Sequence, residues 1–110
     1  MPIHDLNKLL EVAKSAALIA GKHLLENQTK ELEILLNTGR DIKLQIDMDT
    51  EDLIKDQLSS KSSFSILGEE TGLSNDLGEF YWVVDPLDGT SNYLRNIPIS
   101  CVAIALMHDL

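Results

Sequence analysis

The chain has 110 residues, enough for one modest domain with its own core. Lys and Arg number 9 against 18 Asp and Glu, a formal net charge of −9, which argues against nucleic acid or an anionic membrane surface as a partner and suits a cation site. The single cysteine excludes an internal disulfide, no apolar run approaches the ~20 residues of a membrane span, and residues 1–7 carry no signal-peptide pattern, so a cytoplasmic, reducing location is expected.

In chain order, residues 5–27 read as a long helix. Leu6, Leu9, Leu10, Ala13, Ala16, Ala17, Ala20, Leu24 and Leu25 recur at helical spacing as one apolar stripe, and Asp5 is the N-cap or first-turn acid. Residues 31–36 and 41–46 read as two strands of a hairpin, turned through Asn37-Thr38-Gly39 and joined to the main sheet. Ile42, Leu44 and Ile46 alternate with Lys43 and Gln45, which predicts one buried face.

Residues 47–59 read as a second helix. Asp47, Asp49 and Glu51 crowd its start, where the helix dipole favours negative charge, so a capped helix start accounts for all three. A Ser/Lys loop leads to a short strand over 64–67, which ends in Gly68-Glu69-Glu70-Thr71-Gly72; a polar loop over 74–79 follows. Tyr81 to Val84 form a buried apolar strand that stops at Asp85, because Pro86 has no N–H for a ladder. Gly89 permits a tight turn, residues 91–94 make a helical turn, and residues 100–107 form a last strand in which Cys101 is a small buried residue.

Asp85 and Asp88 carry the chemistry. Two carboxylates three residues apart in one loop repel each other unless a cation lies between them, and hard cations such as Mg²⁺ take carboxylate and carbonyl oxygens while keeping waters for a phosphate substrate. Asp-x-x-Asp alone reads more readily as a Pro/Asp/Gly turn than as a cation site. The longer string Asp85-Pro86-Leu87-Asp88-Gly89-Thr90-x-Asn92-Tyr93, preceded by Gly68-Glu69-Glu70, resembles the inositol monophosphatase family of Mg²⁺-dependent phosphomonoesterases.

That resemblance implies an α/β (α+β type) fold, layered like the sugar phosphatases, with long helices packed on a largely antiparallel sheet. It treats residues 1–110 as the N-terminal part of such a domain, with the C-terminal half absent. It implies hydrolysis of a small phosphomonoester, such as an inositol monophosphate, with two or three Mg²⁺ ions and a metal-activated water. Glu69, Asp85 and the carbonyl of Leu87 would hold the first ion, and Asp85 and Asp88 the second. Thr90 would polarise the water with Asp47 as its base. Backbone N–H groups of Gly89 and Thr90 would hold the phosphate, and Glu70 would support the ligands or take a third, looser ion. The run ahead of Asp47 is Lys43-Leu44-Gln45-Ile46, where the family commonly carries Val-Thr, and the family's later Trp-Asp ligand lies beyond Leu110. The partner implied is a small phosphorylated metabolite, not nucleic acid or membrane, with the chain as a homo-oligomer. The alternative is a noncatalytic metal- or phosphate-binding module that self-associates or binds a partner.

Overall fold

A computed structural model describes residues 5–38, 41–73 and 78–108. The expected turn at Asn37-Thr38-Gly39 and the polar loop over 74–79 lie partly outside the described residues. Helix α1 runs Leu6–Asn27; its N-cap is Asp5, whose carboxylate accepts from the N–H groups of Asn7 and Lys8. A hairpin of β1 (Ile34–Asn37) and β2 (Ile42–Leu44) follows, then α2 (Gln45–Lys61), β3 (Ser65–Gly68), β4 (Gly72–Leu73), β5 (Phe80–Asp88), the short helix α3 (Thr90–Leu94) and β6 (Cys101–His108). The long helices packed on strands are those the sequence predicts.

The main sheet has the order β4-β3-β5-β6. β3 lies parallel to β5, and the β4–β3 and β5–β6 pairs are antiparallel. Ala16 and Ala20 of α1 meet Ile54 and Leu58 of α2, and both helices cover Ile66, Trp82 and Val84 of the sheet. Trp82, 1 % exposed, buries its ring, and its indole N–H donates to the Ser62 hydroxyl at 2.9 Å, so no polar atom is stranded there.

Four expectations are corrected. The hairpin is a separate two-stranded sheet, and β1 is exposed along its length; Ile42 and Leu44 of β2 alone turn inward. Helix α2 starts at Gln45, because Asp47 at its third position reaches back to accept the N–H of Leu44 at 3.0 Å and caps the helix there. Strand β5 continues through Pro86 to Asp88. Its parallel partner stops at Gly68↔Val84, while the β6 ladder shifts register between Asp85 and Asp88, so the proline sits in an irregularity where its missing N–H breaks no regular rung. Cys101, at the start of β6, is exposed rather than buried.

A second apolar cluster joins Leu24 of α1, Leu44 and Ile46, Leu87 of β5 and Tyr93 of α3. The Tyr93 hydroxyl donates to the Leu24 carbonyl at 2.7 Å, one of the last carbonyls of α1, which lack intrahelical partners. Gln28 returns a bond from its side-chain N–H to the Tyr93 carbonyl at 3.1 Å. Burial pushes the phenol up to about 12. Tyr93→Phe leaves a buried helix-end carbonyl unpaired and is expected to cost about 1–3 kcal/mol in urea unfolding. A loss within about 0.5 kcal/mol, the usual range for surface changes, would contradict that accounting.

Candidate metal centre

The parallel register places Leu67 beside Val83 and Gly68 beside Val84, and the N–H of Glu69 donates to the Val84 carbonyl at 3.1 Å. Continuing that register brings Glu69 to Asp85, near enough for their carboxyl groups to bond when one carries a proton. One of Asp85's carboxylate oxygens also accepts the Leu87 N–H at 3.2 Å, across the proline, which fixes the side chain to its own backbone. The two residues border a cavity of about 380 Å³ whose lining also includes Asp41, Lys43, Glu70, Leu87, Asp88, Gly89 and Thr90. Lys43 is the one cation among those lining residues, against five carboxyl groups.

The electrostatics follow from that crowding. Glu69, normally near 4.5, is pushed up to about 7, first by its hydrogen bond with Asp85, then by burial and by the charges of Asp85, Glu70 and Asp47. Asp47, 1 % exposed, is raised from 3.8 to about 6 mainly by burial, against the lowering effect of its bond from Leu44; Glu70 and Asp85 push the same way. Burial raises Glu70 also, and Lys43 pulls it back. Among the described residues, Asp47 Oδ1 and the Thr50 hydroxyl are buried without a hydrogen-bond partner.

The predicted site residues are therefore only partly assembled. Glu69 and Asp85 meet, and Asp47 and Glu70 lie close enough to feel them. Asp88 lines the cavity but is exposed, with its carboxylate against the Cys101 thiol at 3.8 Å. Among the described residues no three Asp, Glu, His or Cys side chains gather closely enough to hold one ion. The Leu87 carbonyl accepts the Thr90 hydroxyl at 3.1 Å, so Thr90 is tied to the loop and not to Asp47. Gly89 ends β5 with φ of 89°, and a Cβ there would stand 2.8 Å from the Ile99 carbonyl; only glycine fits this turn into α3. Asn92 anchors the returning loop by donating to the same Ile99 carbonyl at 2.9 Å.

One residue of the site escaped the sequence reading. Glu51, placed with the helix-start acids, is 0 % exposed, and its two carboxylate oxygens accept the N–H groups of Glu70 at 2.9 Å and Thr71 at 2.7 Å. The signal was present. Counting back by helical turns from Leu58 and Ile54, the inward stripe of α2 falls on Thr50, Glu51 and Asp47, all buried.

The fold is a layered α/β chain that brings acidic side chains to the ends of two parallel strands. The model of the inositol monophosphatase family matches residues 5–109. A fructose-1,6-bisphosphatase/inositol-1-monophosphatase of Aquifex aeolicus is 37 % identical over 108 residues, covering 96 % of this chain and 41 % of the relative. An inositol-1-monophosphatase of Mesorhizobium japonicum is 37 % identical over 102 residues, covering 89 % of this chain and 38 % of the relative. Among solved structures, the extragenic suppressor protein suhB of Bartonella henselae superposes with a TM-score of 0.83 at 32 % identity, over 92 % of this chain and 41 % of that one. The chain belongs to the inositol monophosphatase family, and it spans about two fifths of the length of these relatives.

The raised carboxyl groups set a pH dependence. The unfolded chain loses these protons near 3.8 and 4.5, while the folded chain holds them to about 6 and 7. Their contribution is thus fully present below about pH 4 and is lost as pH rises through 6 to 7, since the slope of stability is negative wherever the folded state binds more protons. In metal-free buffer, urea unfolding is expected to show stability falling between about pH 4 and pH 7, with a shallower fall in Glu69→Gln. Stability that rises through that range in the wild type would contradict the assignment.

Proposed function

We propose that the chain carries the catalytic acidic loop of a Mg²⁺-dependent phosphomonoesterase acting on a small phosphorylated metabolite such as an inositol monophosphate. The observation that carries this reading is the Glu69–Asp85 pair. Two carboxyl groups are held side by side, one of them keeping its proton to about pH 7, which is where a cation can take the proton's place. The donors are all oxygen, as Mg²⁺ prefers. The family match and the relatives' names support the phosphatase class.

Glu69 and Asp85 are the residues that would hold the metal, with the Leu87 carbonyl and the Asp88 carboxylate as the further oxygen donors on the cavity wall. When bound, Mg²⁺ neutralises phosphate charge and lowers the pKa of a coordinated water. The chain's own residues do the rest. The Thr90 hydroxyl, oriented by its bond to the Leu87 carbonyl, presents its oxygen to the cavity and positions the attacking water. Asp47, raised to about 6, has an unpartnered oxygen and is poised to accept a proton near neutral pH. The N–H groups of Gly89 and Thr90, at the start of α3, hold the phosphate, and Lys43 adds a positive charge at the rim. Glu70 supports the ligand loop or takes a looser ion. The reading includes cytoplasmic action and self-association through β6, an edge strand of the sheet with Cys101, Ala103 and Ala105 exposed. Among the described residues, no helix is long and apolar enough to cross a membrane.

Mg²⁺ at about 100 times its Kd is expected to stabilise the chain by about 2.7 kcal/mol, seen as a rise in Tm. At about pH 8, above the value of about 7 at Glu69, Asp85→Asn is expected to stabilise the metal-free chain, by relieving the repulsion at the charged Glu69, and to abolish the Mg²⁺ response. Equal responses from both proteins would refute the site. Mg²⁺-dependent phosphate release from a small phosphomonoester tests the activity. Thr90→Ala is expected to keep Mg²⁺ binding and Tm but lose turnover by about 10²-fold or more, the usual size of a proton-transfer contribution. A Thr90→Ala protein that loses stability and turnover together would count against the water-positioning role. Mg²⁺ binding without phosphate release would favour the noncatalytic module instead.

A further inference from the structure

Helix α2 grips the loop that carries Glu69. The Glu51 carboxylate is buried at 0 % exposure and takes two consecutive backbone N–H groups, those of Glu70 and Thr71, one on each oxygen. One turn further along, the Lys55 ammonium donates to the Thr71 hydroxyl from the exposed side. The strand side of the loop is fixed as well, because the Glu69 N–H is bonded to the Val84 carbonyl. Glu69 therefore stands between two anchored peptides. Its N–H belongs to β5, and the two that follow belong to Glu51.

The fit beneath the loop is tight. A Cβ on Gly68 would come within 2.5 Å of the Glu51 carboxyl carbon and 2.6 Å of both its oxygens. That glycine is required by the close approach of the carboxylate to the backbone of β3. A buried carboxylate is costly unless its oxygens are satisfied, and a fold that carries one uses both oxygens on the turn beside the acidic pair.

We infer that Glu51 is a positioning residue for the metal centre: by holding the N–H groups of Glu70 and Thr71 it fixes the turn that delivers Glu69 to Asp85. The inference rests on the metal reading of that pair. The chemistry requires a carboxylate, since a glutamine in the same place offers one acceptor to one N–H and points its own donor at the other. Asp47 lies one turn earlier on the same helix, so α2 holds in one rigid body a buried acid whose charge reaches Glu69 and the group that braces the ligand loop. Residues that orient metal ligands typically change metal affinity 10–100-fold when replaced.

The test uses Mn²⁺ alone as an EPR-visible probe, titrated into the wild-type chain, Glu51→Gln and Gly68→Ala, with amide hydrogen exchange read on the same proteins well below their melting temperatures. The expected result is Mn²⁺ affinity 10–100-fold weaker in both variants, with exchange accelerated at Glu70 and Thr71 but not along β6. Glu51→Asp, which keeps the charge and withdraws it by one methylene, is the variant to read if Glu51→Gln does not fold. Wild type and a folded Glu51 variant that bind Mn²⁺ equally would overturn the positioning role and leave the metal reading intact. A wild-type chain that does not bind Mn²⁺ would overturn the metal reading and, with it, this role. Failure of every Glu51 variant to fold would make the residue purely structural and overturn the role as well.

Discussion

The structure turns on the enforced proximity of Glu69 and Asp85. Nothing local favours it, since like charges side by side repel each other and cost stability. It is imposed by the parallel pairing of β3 with β5, whose register carries each strand's last apolar residues past each other and leaves the two acids adjacent. The apolar burial of Ile66, Trp82 and Val84 beneath α1 and α2 sets that register, because a slip of one residue would turn every inward side chain outward. Core packing thus offsets the electrostatic strain at the strand ends.

The same logic explains the polar residues inside α2. An amphipathic helix over a sheet buries its inward stripe along its whole length. Toward the C-terminus that stripe is Ile54 and Leu58; toward the N-terminus it is Asp47, Thr50 and Glu51. The change from apolar to polar occurs where the helix passes from the sheet's core to the ends of its strands. Glu51 there finds two backbone donors, while Asp47 has one bond from Leu44 and one oxygen without a partner among the described residues. A capped, satisfied acid and a raised, half-satisfied acid sit on consecutive turns, and the difference in partners is the difference in chemistry open to them.

Much of this was legible in the sequence. The stripe of α1, the apolar runs of β3, β5 and β6, and the loop from Asp85 to Tyr93 are strong local signals, and they fixed the element order and the acids at the strand ends. What was not legible depended on partners distant in sequence. The extension of β5 past Pro86 rests on a register shift against β6, and Cys101 is exposed because β6 is an edge strand with half its side chains uncovered. The start of α2 at Gln45 depends on Asp47 folding back on Leu44, which makes an acid read as a helix-start charge into a buried cap. Glu51 belongs with these: its charge alone points to solvent, while its helical phase, in step with Ile54 and Leu58, turns it inward.

The central claim is that Glu69 and Asp85 share a proton that a cation replaces. Isothermal titration of Mg²⁺ in two buffers of different ionisation enthalpy counts the protons released on binding. At pH 6 to 6.5, below the value of about 7 at Glu69, binding is predicted to release about one proton per ion, and the release is predicted to fade above about pH 8. Mg²⁺ binding with no proton release at pH 6 to 6.5, or with release that Asp85→Asn leaves unchanged, would contradict the account.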